Sequence, residues 1–413
     1  MTERTDAKRA GLAQLGVVVS LGISQLIGYG SSLYLPAILA APIAAEEGWP
    51  AVWVMAGLSV GMLVAGVVSA RVGVLIQRHG GRPVMACSAV LIALGLLVMA
   101  AAPSVPVYLA GWTVMGFGMG GGLYDASFAT LGAAYGSAAR VAITRLTLIG
   151  GFASTISWPA NMALVELLGW RWTCVAWAVL NLAVALPLYL VMLPRRNFEA
   201  GSEPAGRASV VVHPPVGTRS MLILLGVLLT VVALISGIVS VHFVRLLGGM
   251  GVDLASAVAL GTLIGPAQVG ARIIDMLLGT RHHPIWTMLV ALATVALGMI
   301  LLGAGVGWPA LALLSYGAGN GLISIAKGTL PLALFGPTGY AVLMGRLAVS
   351  ALIAQAIAPA AGTMFADAFG ANTLVHTLAV MGLADVALGG ALYVMIRRGR
   401  RRLVAAPTLA SGG

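Results

Sequence analysis

Long apolar runs, each near the ~20 residues a helix needs to cross ~30 Å of hydrocarbon, follow one another along the chain with short polar breaks between them. Twelve can be laid out. The first covers about Leu12 to Leu39, the second Pro50 to Val72, and the third Pro83 to Ala101, while the fourth begins near Pro106. The sixth ends at Pro194, the seventh runs from Met221 to about Leu247, and the eleventh starts near Tyr340. The first run is too long for the apolar segment of a signal peptide. The longest polar interval, Arg195 to Ser220, holds three prolines, several glycines and no periodicity, which predicts a flexible linker. Six spans precede it and six follow. The pattern therefore predicts an all-α membrane protein with twelve transmembrane helices in two six-helix halves. The expected parts are an N-terminal tail (1–11), a first half (12–194), the linker (195–220), a second half (221–396) and a basic tail (397–413).

Inside the runs the polar residues fall on stripes. Gln25, Tyr29, Ser32 and Pro36 recur at i, i+4, i+7 and i+11 in the first span, so they share one helix face. The fourth carries Gly118, Gly122 and Asp125 on one stripe, and the fifth Thr144, Thr147, Gly151, Ser154, Trp158 and Asn161. A polar stripe on an apolar helix faces water or another polar surface, so the fifth span either lines a pathway or bonds a neighbouring helix. The eighth has Gly261, Gly265, Gln268, Arg272 and Asp275, and the tenth Gly317, Asn320, Ser324 and Lys327; Arg346 lies one turn into the eleventh. These stripes nominate Gln25, Tyr29, Trp158, Asn161, Gln268, Asn320, Ser324, Lys327 and Arg346 as substrate-binding residues. Asp125, Arg145, Arg272 and Asp275 are the candidates for coupling or gating.

The intramembrane charges are the most informative, because an acid at a helix centre costs roughly 2.5–3.5 kcal/mol on insertion scales. Asp125 and Arg145 lie at nearly equal distances from the turn at Gly136, which predicts an ion pair between them, with proton carriage by Asp125 the sharper alternative. Arg272 and Asp275 have the i, i+3 spacing of a local pair. Lys327 and Arg346 are nearly equally placed about Pro337 with no acid of their own hairpin to neutralise them. At ~4–8 Å and an effective dielectric near 20, their repulsion would be roughly 2–4 kcal/mol. Three resolutions are open: an acid from another helix such as Asp275 or Asp385, snorkelling to the interface, or an anionic substrate.

Composition sharpens the class. Of 413 residues 60% are hydrophobic and 8% charged, against about a quarter charged in soluble proteins. The net charge of +11 does not point to nucleic acid, because a twelve-crossing layout puts every Lys and Arg except Arg171 and Arg245 on one side. Such a bias places both termini in the cytoplasm. Cys87 and Cys174 fall near opposite faces, so no disulfide between them is expected. The sequence has no Walker loop, nucleophile elbow or metal-ligand cluster, and the glycine run of the fourth span lacks a preceding strand. Neither an enzyme nor a cofactor is expected.

One short loop links these observations to a family. Gly73 to Pro83 reads Gly-Val-Leu-Ile-Gln-Arg-His-Gly-Gly-Arg-Pro. With Gly73, Arg78, Gly81 and Arg82 it resembles the loop between the second and third helices of the major facilitator superfamily, departing at Gln77, where the family carries an acid. Gly80 and Gly81 permit the positive φ that a tight reversal needs. Gly116, Gly118 and Gly120 match Gly317, Gly319 and Gly321 at an offset of 201, as Arg145 matches Arg346, which supports a duplicated six-helix unit. Leu-Gly-Trp-Arg-Trp (168–172) also resembles the family's outer loop. Tyr34-Leu35-Pro36 and the segments around Asp125 and Gly150 are similar to a bacterial branch near the proton-linked monocarboxylate porters; a related branch exports arsenite.

The resemblance implies alternating access to a central site by a monomeric secondary transporter of a bacterial inner membrane. Its expected partners are a small solute, with a monocarboxylate-like organic anion the first expectation, together with protons and the lipid bilayer and without nucleic acid. Efflux of a metalloid or drug is the alternative, although two distant cysteines do not suit thiolate capture of a trivalent metalloid. Cysteines introduced at Gly201 and Ser411 should resist an impermeant thiol reagent in intact cells; labelling of both would reverse the orientation.

Overall fold

The computed structural model describes residues 2–195, 218–249, 251–278, 282–305 and 309–405. Most of the predicted linker and the end of the basic tail lie outside them. Among the described residues ten stretches are long and apolar enough to cross a membrane, and one of these, Val105–Met192, folds as three spans. Twelve crossings result.

The spans are α1 (Thr2–Gly30, resuming as Leu35–Glu47), α2 (Ala51–His79), α3 (Gly81–Ala100) and α4 (Val105–Gly122, resuming as Tyr124–Tyr135). Next come α5, beginning as Ala139–Gly150, and α6, which ends in Leu186–Met192. Between them the helical stretch Ala153–Leu180 bends at Gly169, whose φ of 78° favours glycine; 153–168 completes α5 and 170–180 opens α6. The second half contains α7 (Thr218–Gly248), α8 (Leu254–Gly261, resuming as Ile264–Leu278), α9 (Pro284–Gly303), α10 (Pro309–Phe335), α11 (Tyr340–Phe369) and α12 (Ala371–Ala405).

Two hydrophobic cores follow this order. One is built from α1–α6 and borrows Leu332, Tyr340, Ala341, Met344 and Ala356 from α10 and α11. The other is built from α7–α12. Outward-facing Leu, Val and Ile side chains remain exposed along many spans, as lipid contact requires.

Small residues make the seam between the halves, because lipid-embedded helices associate by close packing rather than by a hydrophobic drive. A Cβ on Gly73 of α2 would overlap the Ala341 carbonyl of α11, and one on Gly345 would overlap the Ser69 carbonyl. Further along, a Cβ on Gly66 would stand 3.0 Å from Ile353, and one on Gly136 would stand 3.7 Å from Pro337. Arg140 of α5 donates to the His282 carbonyl before α9 at 2.7 Å. By the parity of the crossings, the contacts at Gly73, Gly136 and Arg140 lie toward the face that carries both termini. In the loop after α2, Gly80 takes the positive φ of 81°. Gly81 instead starts α3, where a Cβ would overlap Thr130, so only one of the two glycines is needed for its backbone freedom.

Four spans expected as continuous helices are broken: α1 at 31–34, α4 at Leu123, α5 at 151–152 and α8 at 262–263. Each break adjoins glycine. At two of them, in α1 and α4, an amide from another span bonds a released carbonyl, as hydrocarbon demands. Asn161 Nδ2 donates to the Gly30 carbonyl at 3.2 Å and Gln25 Nε2 to the Gly122 carbonyl at 2.7 Å. Asn181, in a π-helical turn of α6, donates to Ser31 Oγ at 3.3 Å.

Gly73→Val should cost about 1–3 kcal/mol by overpacking the seam, lowering the melting temperature of the detergent-purified protein. Gly390→Val is the control, since a Cβ there meets nothing within 4 Å, and it should melt like the wild type.

Candidate functional site

A cavity of about 150 Å³ lies between the halves. Its polar wall is Tyr124 and Asp125 of α4 with Asn320, Ser324 and Lys327 of α10; its apolar wall comes from α7 and α11, including Leu229, Val232, Met344 and Leu347. Uninterrupted α10 presents its three polar residues at helical spacing, so all three face the space. Asp125 sits in the first turn of the resumed α4, where the helix dipole favours an acid.

Asp125 pairs across the two halves. Its Oδ1 lies 2.9 Å from Lys327 Nζ, with both side chains part-buried. The expected pair with Arg145 does not form, because equal depth in a hairpin leaves the direction of each side chain open: Arg145 is exposed on α5 and lines a different cavity. Nor is Lys327 left without an acid, as its own hairpin would leave it. Lys327 has its acid from α4, and Arg346 is exposed on α11, away from the cavity lining.

Arg272 is the second charge at the centre. It is only 4% exposed. Its Nε donates to the Gly321 carbonyl at 3.2 Å and to Ser324 Oγ at 3.1 Å, and Nη2 donates to Gln268 Oε1 at 3.2 Å. Nη1 has no hydrogen-bond partner among the described residues. The local pair with Asp275 is not made: Arg272 turns inward to α10, while Asp275 accepts from Thr287 at 2.8 Å and lies 3.4 Å from His282 Nε2. Among the described residues no carboxylate pairs with this buried guanidinium, which leaves the centre cationic.

Aromatic rings close the side next to Asp125. Tyr29 packs against Tyr124 with ring centroids 5.1 Å apart and against Tyr34 at 6.2 Å, and Tyr124 stacks on Phe128 at 5.3 Å. Tyr29, Asp125, Gln268, Arg272, Asn320, Ser324 and Lys327 therefore belong to one neighbourhood. Gln25 and Asn161 are buried and engaged at the breaks of α4 and α1, Asn161 also accepting from Trp177 Nε1 at 2.6 Å. Trp158 is 45% exposed and absent from the cavity lining. The fifth-span stripe disperses for a geometric reason: 17 residues at 3.6 per turn leave Thr144 and Asn161 about 100° apart.

The sequence profile of the Major Facilitator Superfamily matches residues 21–341. The chain belongs to this superfamily. No curated protein sequence matches it. Among solved structures it is similar to the human organic anion transporter MFSD10 (TETRAN), with 17% identity over 91% of this chain and 99% of that one at a TM-score of 0.71. The proton:xylose symporter XylE, bound to 6-bromo-6-deoxy-D-glucose, is 15% identical over 91% and 95% at 0.70. FucP in the outward conformation is 14% identical over 92% and 99% at 0.71. At these identities the likeness is one of fold.

Within the superfamily fold, a second cavity of about 180 Å³ lies toward the termini, between α5 and α8–α10, and is lined by Arg140, Thr144, Arg145, Asp275, Thr287 and Thr329 among others. Of the signature-loop residues, Gly73 belongs to the seam and Arg78 is exposed at the end of α2; Arg82 opens α3 beside Gly81. Sequence reasoning missed Tyr124, although it adjoins Asp125, and missed the apolar wall, whose residues carry no signal beyond hydrophobicity.

A double-mutant cycle tests the cross-half pair. Asp125→Asn and Lys327→Gln should show a coupling of about 1 kcal/mol or more in thermal unfolding, whereas Asp125→Asn and Arg145→Gln should be additive.

Proposed function

We propose that this superfamily member is a secondary transporter that moves a small organic anion, a monocarboxylate, by alternating access and in exchange or company with protons. One observation carries the reading: Arg272 is buried at the centre with Nη1 unengaged and, among the described residues, with no carboxylate paired to it. Asp125 and Lys327 neutralise each other, so a monoanion at Arg272 completes the charge balance. Burying such a cation is costly unless it is paired, and the substrate supplies the pair. The apolar α7 and α11 wall suits the carbon body of the acid.

Asp125 is the proposed coupling group. When a proton neutralises it, the attraction to Lys327 across the halves is lost, and Lys327 becomes a second cation for the anion. Opening of the seam at Gly73 and Gly345 would then expose the site to the termini face. In this reading both termini are cytoplasmic, in a bacterial inner membrane, and the protein works as a monomer. Organic anion transport by MFSD10 and proton symport by XylE, as those proteins are described, show that one fold carries both activities.

The test is uptake of lactate by proteoliposomes under an imposed proton gradient. Arg272→Gln should abolish uptake and Arg272→Lys retain part of it. Asp125→Asn should still exchange lactate but fail to concentrate it. Wild-type uptake of lactate by Arg272→Gln would reject the anion reading.

A further inference from the structure

One acid lies away from both cavities. Asp385 of α12 is only 1% exposed, and neither of its carboxyl oxygens has a hydrogen-bond partner among the described residues. It lines neither cavity, and Lys327 takes its acid from α4 instead. Gly382, Asp385 and Gly389 recur at i, i+3 and i+7, so they share one face of the helix. That face lies on α9 and α7. A Cβ on Gly382 would stand 3.0 Å from Ala296, and one on Gly389 would stand 2.8 Å from Leu292 and 3.9 Å from Leu228. Asp385 is held between these two contacts, beside the apolar side chains of the second core.

No counter-ion stands near it. α12 packs on α9, α7 and α11, and α9 has no titratable residue. α7 carries Arg219, His242 and Arg245, α11 carries Tyr340, Arg346 and Asp367, and α12 itself carries His376, Tyr393 and the arginines from Arg397 onward. Reckoned from the Gly389–Leu228 contact and the turn at Gly370, each of these stands two turns or more from Asp385 in depth. The hydroxyls at its level are spent elsewhere: Thr294 bonds the Val290 and Ala291 carbonyls, and Thr230 bonds the Gly226 carbonyl and Ser350.

An ionised carboxylate without a partner is among the costliest groups to bury, and the membrane interior offers it no relief. A hard divalent cation takes about six oxygens, whereas the carboxyl is the only oxygen-bearing side chain on this face of α12 between Gly382 and Gly389. A proton asks for one oxygen. It removes the charge and turns the carboxyl into a donor for a carbonyl of its own helix, the bond that Thr230 and Thr294 already make.

We infer that Asp385 is a proton-binding site separate from the transport pathway: the folded protein holds a proton there near neutral pH, and α12 stays packed on α9 and α7 only while that proton is bound. Its loss would leave a bare charge among Leu228, Leu292 and Ala296, and α12 would have to give way to admit water or a counter-ion. The second half thus carries a proton-operated joint remote from Asp125, and alkaline conditions loosen it whatever the transported solute.

Asparagine copies the shape of a protonated aspartate and cannot ionise, so Asp385→Asn in the detergent-purified full chain should melt like the wild type near neutral pH. Unfolding puts the wild-type carboxyl in water, where it gives up its proton, so its stability falls as pH rises. From about pH 6 to about pH 9 the wild type should lose at least ~2 °C of melting temperature relative to Asp385→Asn, and should do so equally in an Asp125→Asn background. The infrared spectrum near neutral pH should contain the carbonyl stretch of a neutral carboxyl that Asp385→Asn lacks and that fades in alkali. Should Asp385→Asn fail to fold, Asp385→Glu decides, since the band should shift with the altered carboxyl. A melting difference that does not change with pH, its disappearance in the Asp125→Asn background, or a neutral-carboxyl band unaffected by substitution at Asp385 would overturn the site.

Discussion

No water reaches the backbone inside a bilayer, so every carbonyl released by a broken helix must find a donor within the protein. The rest of the structure depends on this constraint. Gln25 serves α4 and Asn161 serves α1, each reaching from a neighbouring span to the carbonyl left open, and Asn181 steadies Ser31 beside the first break. These amides make irregular backbone tolerable at the centre of the molecule. The break at Leu123 in turn creates a helix start at mid-depth, and that start holds Asp125 in its first turn. Backbone accounting and site electrostatics are thus one problem, solved by the same few side chains.

The seam between the halves obeys a different economy. Gly73, Gly345 and Gly66 let α2 and α11 touch backbone to backbone, and such contacts add attraction by close packing without interlocking large side chains. A joint of this kind separates without stripping apolar groups into water. The ion pair Asp125–Lys327 and the hydrogen bond from Arg140 to the His282 carbonyl are polar links between the halves.

Much of this architecture was legible in the residues. Twelve spans follow from run length, and Asn320, Ser324 and Lys327 reach the cavity because α10 is regular and their spacing translates directly into a face. Reading failed where the helix did. Gln25, Asn161 and Trp158 looked equivalent to those residues as members of polar stripes, but α1 and α5 are interrupted and their stripes serve breaks or turn away. The glycines at 28, 30, 122, 150 and 151 were the available sign, and their abundance elsewhere hid it. Depth counting put Asp125 level with Arg145, yet depth says nothing of azimuth, and the partner came from the other half. Arg272 looked like half of a local i, i+3 pair, but it turns to α10 and, among the described residues, pairs with no acid.

The isolated guanidinium bears on membrane voltage. With Asp125, Lys327 and Arg272 ionised, the empty centre carries one net positive charge. In the proposed symport a monoanion at Arg272 and a proton on Asp125 travel together, so the loaded centre would keep that same charge. A charge that crosses the full field is worth about 2.3 kcal/mol per 100 mV, and the loaded and empty reorientations would carry it in opposite directions. Voltage would then favour one half of the cycle by as much as it opposes the other, and a whole turn would move no net charge.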